Sequence, residues 1–392
     1  MSARQRFVTR HAHRETHRPW GQRALKVIVS VWVLLSHKLG DNEQCLALAD
    51  LLNLSFDVRV LDWPEESSIS DKALTMLFLE DSIEAAEKRK AKGICPPWPD
   101  VLICSGRRNS RVGFWIRETS KGHTKVVVIG RARRPVAQYD LLVAPPQFRA
   151  PTRSNVVKQL TPLRRRAAPS DLAPGDGADR WLAELRQPLI AVLVGGRVRQ
   201  FLTKPGQVAK AIAAAAEQVR PLGGRVVVLD SRRTPRDVSE AIRQLTGEDV
   251  LYVAWSSGRR SAYKQILSRA EFFLVTGDSI SMLSDACGTG KPTYIIELPS
   301  AFDARRWLDR VGSALFSGRF QEWLHARRIV RYARDLKVYH RILYRHGLAR
   351  PVAELDLLDS GWPKRDDIKQ IEATAENELK RKFWTVVQNS KA

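Results

Sequence analysis

Acidic side chains are in short supply in this chain of 392 residues: 42 Asp and Glu face 65 Lys and Arg, a net charge of +23. A surplus of this size points to an anionic partner, which could be nucleic acid, a membrane surface or a phosphorylated substrate. Cysteine is scarce too. Cys45, Cys95, Cys104 and Cys287 stand far apart with no CxxC pair, which excludes a disulfide framework and fits free thiols in a reducing compartment. The longest apolar run, residues 25–35, contains Lys26 and Ser30 and is too short to span a bilayer. No GxGxxG follows a strand pattern, which counts against an NAD-dependent dehydrogenase or epimerase; no Walker A motif occurs, and without GxSxG a hydrolase triad has no anchor.

What is present is organised. The length suits two domains. Charge is uneven: residues 40–100 carry −7 while 101–250 carry +15, so the basic groups are placed rather than spread. Residues 1–24 hold six Arg and one acid, Glu15, and read as a disordered basic arm. From there strand and helix patterns alternate. Strands are expected at 26–35, 56–61, 100–104, 125–130 and 141–144, with helices at 43–52 and 71–92. Residues 151–188, rich in Pro and carrying Arg164-Arg165-Arg166, read as a linker with a helix near 179–186. The rhythm then repeats, with strands at 189–194, 225–229, 250–255, 271–275 and 293–296 and an Ala-rich helix at 207–220. Alternation of this kind predicts parallel sheets covered by helices. The expected class is α/β, two Rossmann-like domains (25–150 and 189–345) facing a cleft, with a helical C-terminal extension over 346–392.

In open parallel sheets ligands bind beyond the carboxyl ends of the strands. Those loops in the second half are rich in glycine, hydroxyls and arginine: Gly195-Gly196-Arg197, Ser231-Arg232-Arg233-Thr234-Pro235, 256–260, and Thr276-Gly277-Asp278-Ser279-Ile280-Ser281 opening a helix. Each alone is an ordinary turn. Four in one domain point to a phosphate-containing ligand, approached by glycine backbone and charged by guanidinium groups. Asp285, about two turns into that last helix, is placed to accept hydrogen bonds from ribose hydroxyls.

The stretch from Val275 through Asp285 to Gly288-Thr289-Gly290-Lys291-Pro292 resembles the signature of the ELM-type (elongated mitochondria, mitochondrial fission) family, read as glycosyltransferases. Leu39-Gly40-Asp41-Asn42-Glu43-Gln44, Ser105-Gly106-Arg107-Arg108 and the 231–235 loop agree in order and spacing, so the resemblance runs over about residues 26–345. The family usually has Glu where Asp285 stands, one methylene longer, and residues 145–170 match poorly. The family is similar in turn to GT-B glycosyltransferases. The resemblance implies a nucleotide-sugar donor, commonly a UDP-sugar, on the second domain. Asp285 would lie at the ribose and residues 276–281 at the diphosphate. On the first domain it implies an acceptor-side loop at Gly40, with Ser105, Gly106, Arg107 and Arg108.

Glycosyl transfer needs a base for the acceptor hydroxyl and stabilisation of the departing diphosphate. Asp41 is the first candidate base and His37 the second, while Asp41-Asn42 also stands where a helix cap is needed. Arg232 and Arg233 could meet the leaving group. No DxD occurs and no metal or other cofactor is expected. Residues 319–350, basic with Trp323, Tyr332, Tyr339 and Tyr344 interleaved, fit either an anionic membrane surface or aromatics packing on the core. The readings that stand are a glycosyltransferase with a cell-envelope or lipid-linked acceptor, and a non-catalytic membrane-associated adaptor on the same fold. Either would be cytoplasmic, and peripheral attachment to the cytoplasmic face of the membrane fits both. Because the Arg pairs follow predicted strand ends, nucleic acid is not the expected partner.

Overall fold

Strands buried on both faces read as unbroken aliphatic runs, since neither face meets water. VWVLL, VLICS and LIAVL are such runs, and each forms a central strand in the computed structural model of the chain. The structure describes residues 29–64, 70–148, 150–165, 185–257, 261–302, 335–359 and 365–388, with scattered positions between 303 and 334 and at 361–362. The basic arm at 1–24, most of the helix expected near 179–186 and the 258–260 part of one arginine loop lie outside the described residues.

Two six-stranded parallel sheets result. The first has the order β2-β1-β3-β4-β5-β6, from Val31–Leu35 (β1), Asp57–Val60 (β2), Val101–Ser105 (β3), Lys125–Ile129 (β4), Leu141–Ala144 (β5) and Val156–Lys158 (β6). The second has the order β12-β11-β10-β7-β8-β9. It is built from Leu189–Leu193 (β7), Arg225–Leu229 (β8), Val250–Val253 (β9), Phe272–Thr276 (β10), Thr293–Ile296 (β11) and Arg350–Pro351 (β12). Register follows burial, with Val33 beside Ile103 in one sheet and Val192 beside Leu274 in the other. In each sheet the first strand of its half has neighbours reached in opposite directions. The strand order therefore reverses between β1 and β3 and again between β7 and β10. A crevice opens at such a reversal because the helices on either side leave to opposite faces.

Helices cover both sheets: Leu39–Leu51 (α1), Asp71–Leu79 (α2), Ile83–Ala91 (α3), Arg107–Thr119 (α4), Pro205–Val219 (α5), Arg236–Gln244 (α6), Ser261–Arg269 (α7), Ile280–Cys287 (α8), Leu336–Arg345 (α9) and Arg365–Gln388 (α10). Several differ from the sequence expectation for identifiable reasons. The helix expected over 71–92 is two helices. The Ser82 hydroxyl accepts from Ala85 N–H and starts α3, while Arg89 donates to the carbonyls of Phe78 and Glu80 and so holds the break. Helix α1 starts at Leu39 rather than 43, because the glycine-containing stretch read as a loop is its first turn. The segment expected as linker from 151 contains β6, whose residues pair with β5.

The C-terminal tail is not an appendage of the second half. Leu379, Phe383 and Val387 of α10 are buried in the core beneath β1 and β5, and Lys382 Nζ donates to the Val156 carbonyl at 2.7 Å. A second crossing runs through Tyr332, which is buried in the first domain, to Asp335. Asp335 N–H donates to the Gln147 carbonyl at 2.8 Å, and its carboxylate accepts from Gln200 Nε2 at 3.1 Å and caps α9 at Lys337 N–H. One buried residue thus couples the two halves, its N–H bonded to the first and its carboxylate to the second. Replacing Phe383 by Ala leaves a cavity under the first sheet and is expected to cost about 3–5 kcal/mol. Urea unfolding of the full chain checks this; an unchanged midpoint would mean that α10 is dispensable to that core.

Candidate functional site

The two strand-order reversals bring together the loops singled out by sequence. At the first, Ser36 N–H donates to Asn42 Oδ1 at 2.9 Å and Asn42 Nδ2 returns a bond to the Ser36 carbonyl at 2.6 Å. That ring makes the turn out of β1. Lys38, not Asp41, takes the N-cap position of α1 and offers no side-chain cap, so the capping alternative for Asp41 does not hold. Asp41 sits in the first helical turn beside Gly106, where a Cβ would come 3.4 Å from Asp41 Oδ2. Gly106 has φ +83° and caps α4, a conformation that a side chain would strain. Burial raises the Asp41 pKa, and Lys38, Arg133, Arg334 and His37 pull it back. A raised pKa makes the ionised carboxylate a stronger base, which suits a general-base role. The His37 Nδ1 atom is buried without a hydrogen-bond partner.

The other acceptor-side residues divide. Ser105 is buried at the end of β3 and Arg107 is exposed at the rim. Arg108 turns away, donating to the Pro64 carbonyl at 2.9 Å and lying over Trp63, so it braces a neighbouring loop. Gly40 is exposed in α1 with open space around it, and no close backbone approach depends on it.

At the second reversal the loops bind one another. Gly195 N–H donates to Thr276 Oγ1 at 2.7 Å, and Gly196 N–H donates to Asp278 Oδ2 at 2.6 Å. The paired glycine amides, expected at a phosphate, are therefore spent inside the protein. Their lack of side chains serves packing instead: a Cβ on Gly195 would lie 2.2 Å from Asp278 Oδ2, and one on Gly196 2.4 Å from the Arg233 carbonyl carbon. Thr234 Oγ1 donates to the Gly195 carbonyl at 2.5 Å and shares a 3.0 Å contact with Ser231 Oγ, so Ser231 also faces inward. Asp278 is buried and its pKa raised for that reason, with Thr276, Gly196 N–H and Arg233 opposing. Thr276, Gly277, Asp278 and Ser279 form the buried wall, while Arg197, Arg232, Arg233 and Ser281 are exposed around it. Ser279 precedes α8 without a side-chain cap, and the helix dipole there favours an anion.

Asp285 is half-buried in α8 and accepts from the Tyr263 hydroxyl at 2.9 Å. Burial raises its pKa; Tyr263 and Arg164 lower it, and Glu43 of α1, from the other domain, raises it again. The charges that act on Asp285 thus come from both halves of the chain. Arg164 lies against Gly288 at the end of α8, and Arg165 Nε binds Asp50 of α1 at 2.7 Å, so the linker arginines touch both walls.

Sequence reasoning missed His340. It is buried in α9, 2.7 Å from the Gly277 carbonyl through Nε2 and stacked on Phe201 with ring centroids 5.9 Å apart. A carbonyl only accepts, so the proton is on Nε2. Burial lowers the His340 pKa, and its bond to Gly277 opposes this. Beside it lies a cavity of about 150 Å³ lined by Phe201, Glu297, Leu298, Lys337 and His340. Among the described residues, the aromatics of the basic stretch 319–350 do not share one face. Tyr332 and Tyr339 are buried in the cores of different halves, and Tyr344 donates to Glu297 at 2.9 Å. Trp323 is exposed, with Arg327 over its ring and Phe320 stacked against it. Among the described residues no group of three or more His, Cys, Asp or Glu gathers as a metal site.

Two parallel Rossmann-like sheets with helices, their reversal points facing one cleft, define a GT-B-like α/β protein. The family model described as mitochondrial fission ELM1 matches residues 40–357, and the chain belongs to that family. It is 26% identical over 220 residues to the mitochondrial fission protein ELM1 of Arabidopsis thaliana, half of this chain and 51% of that protein, so it spans about half of that relative's length. It is 22% identical over 305 residues to the uncharacterized protein RP120 of Rickettsia prowazekii, covering 69% of this chain and 84% of that one. Among solved structures it is similar to a UDP-GlcNAc 2-epimerase from Methanocaldococcus jannaschii (TM-score 0.48, 9% identity, 86% of this chain and 95% of that one). A UDP-glucosyltransferase from Polygonum tinctorium gives a TM-score of 0.47 at 10% identity, over 93% and 99% of the two chains.

Two outcomes follow from this geometry. Gly196→Ala forces its Cβ into the Arg233 backbone and is expected to destabilise the chain by about 1–3 kcal/mol, read as a lower urea midpoint. His340 has a folded-state pKa below its ordinary 6.5. As pH falls through that value the unfolded chain takes up a proton that the folded one resists, so stability declines on acidification. His340→Gln should flatten this decline in melting curves taken between about pH 7.5 and about pH 5.5, and an unaltered slope would exclude the assignment.

Proposed function

We propose that the chain transfers a sugar from a nucleotide-sugar donor, a UDP-sugar in the first instance, to a cell-envelope or lipid-linked acceptor. The observation that carries this reading is the pairing of two unlike reversal points across one cleft. One presents an arginine rim (Arg197, Arg232, Arg233), the uncapped start of α8 and the Tyr263-held Asp285. The other presents Asp41 with its pKa raised by burial. In the reaction Asp41 takes the acceptor hydroxyl proton as the oxygen bonds to the anomeric carbon. The bond from that carbon to the diphosphate breaks, and the departing charge falls to the arginines and the helix dipole. Asp285 accepts from ribose hydroxyls, with Tyr263 fixing its direction. His37 is the second candidate for the proton. No metal enters this scheme.

A second reading is a membrane-associated adaptor on the same fold. It is favoured by the family's description and by exposed Phe302, Trp307, Leu308, Phe320 and Trp323 in a basic stretch, suited to the cytoplasmic face of a membrane. No described helix is long and apolar enough to cross a membrane.

Calorimetric titration with UDP-, GDP- and CMP-sugars separates the two. Micromolar binding of one donor, weakened about tenfold or more by Asp285→Asn, is the expected result. Binding of none sinks the transferase reading and leaves the adaptor.

A further inference from the structure

The arginines on the acceptor side are more numerous than a base needs. Loops after three adjacent strands of the first sheet converge with a fourth segment. They are the turn after β1 with His37 and Lys38, the Ser105–Arg107 turn after β3, residues 130–134 after β4, and Arg334 of the crossing segment, bridged to Phe148. Their placement is fixed. Gly130, at φ +124°, folds its loop back so that a Cβ there would lie 3.8 Å from Ser105 Oγ. The Tyr139 hydroxyl accepts from both Arg133 N–H and Arg134 N–H, at 2.7 and 3.1 Å, and pins the loop backbone.

Three arginines near this cluster are turned to structural work. Arg134 pairs with Glu118 and lies over Phe114, Arg111 donates to Thr75, and Arg108 holds Pro64. Arg133 acts on Asp41, and Arg107 and Arg131, from the turns after β3 and β4, act on Arg133. The Arg133 side chain keeps solvent-exposed surface, yet the enclosure of its guanidinium, and then Arg107 and Arg131, lower its pKa to about 10. Lys38 and Arg334 act on the same Asp41. Lys38, Arg133 and Arg334 thus act on one carboxylate, and Arg107 and Arg131 act on Arg133 beside it, so positive charge is concentrated around a single acid.

We propose that the first-domain half of the cleft is an anion site of its own, in which Lys38, Arg107, Arg131 and Arg133 hold a phosphate group of the acceptor beside Asp41. The proposal rests on the glycosyl-transfer reading for the word acceptor; the anion site itself does not. A phosphate carries close to two negative charges and three acceptor oxygens, which suits several guanidinium groups at once. The donor diphosphate is served on the opposite wall by Arg197, Arg232 and Arg233, so the two phosphate-bearing substrates would meet with the acceptor hydroxyl near Asp41. The phosphate can belong to a lipid headgroup or to a soluble phosphorylated sugar.

Inorganic pyrophosphate is titrated into full-length Arg232→Gln/Arg233→Gln protein, which lacks the donor-side guanidiniums, with and without Arg131→Gln/Arg133→Gln. UDP is titrated separately into wild type and into the Arg131→Gln/Arg133→Gln variant, and melting curves confirm folding. Co-sedimentation with phosphatidylcholine vesicles, with and without phosphatidic acid, is read in parallel. The expected result is that the Arg131/Arg133 change weakens pyrophosphate, vesicle binding or both by about tenfold or more and leaves UDP affinity in place. Asp41→Asn, which removes the competing negative charge, should tighten pyrophosphate. Loss of sedimentation on phosphatidic acid vesicles assigns a lipid phosphate, and loss of pyrophosphate binding alone assigns a soluble one. Unchanged pyrophosphate and vesicle binding in the Arg131/Arg133 variant, or weaker pyrophosphate binding in Asp41→Asn, overturns the site. Absence of UDP binding in wild type alongside an Arg131/Arg133-sensitive pyrophosphate response sinks the donor reading and leaves the anion site standing.

Discussion

A buried carboxylate bonded to a glycine amide holds the second domain's crevice in shape. Asp278 accepts from Gly196 N–H while Thr276 accepts from Gly195 N–H, so the ends of β7 and β10 are tied where the strand order reverses. Everything the cleft presents on that side hangs on this closure. Arg233 is set by the contact of its backbone with Gly196, Arg197 N–H donates to the Arg233 carbonyl, and α8 begins two residues after Asp278. Burying an acid raises its pKa, a cost offset by the hydrogen bonds it accepts. His340 adds a brace from behind through the Gly277 carbonyl.

The two crevices are built differently, and the difference matches the chemistry proposed for each. The second is hydrogen-bonded inside and charged outside, with hydroxyl and amide groups consumed by loop-to-loop bonds and guanidinium groups left at the rim. The first keeps its titratable group, Asp41, in the interior of the crevice, under cations from several loops. Their relation is set by three crossings: the linker with Arg164 and Arg165, the Tyr332–Asp335 segment, and α10. Because Asp335 bonds Gln147 on one side and Gln200 on the other, a change of cleft width would have to strain or break buried bonds.

Much of the fold was legible because parallel strands covered on both faces leave an unambiguous aliphatic signature, as in VWVLL and LIAVL. The loops at their ends were legible for the same reason. What those loops do was less so. Gly195-Gly196 and Ser231 read as phosphate contacts, since small and hydroxyl residues serve equally to approach a ligand or one another, and here they approach one another. Asp41-Asn42 read equally as base or cap until the Ser36–Asn42 ring gave the loop bonds to Asn42. The helix break at Ser82 carried a local signal in its cap. The return of α10 to the first core carried none, because an apolar stripe does not name the surface it covers.

The sequence by itself determined two βα halves, the strands at the heart of each sheet, the family signature from Val275 to Pro292 and the surplus of positive charge. Short-range periodicity and composition encode these, and they need no knowledge of what lies across the molecule. Only the tertiary structure decided which polar groups are consumed internally and which face the cleft, for that depends on partners about 80 residues away, as Gly196 and Asp278 are. It also decided that the positive surplus is partly spent on carbonyls and aromatic rings, as at Arg108 and Arg134, and partly gathered around Asp41. A charge count is the same for both uses; the geometry of the loops tells them apart.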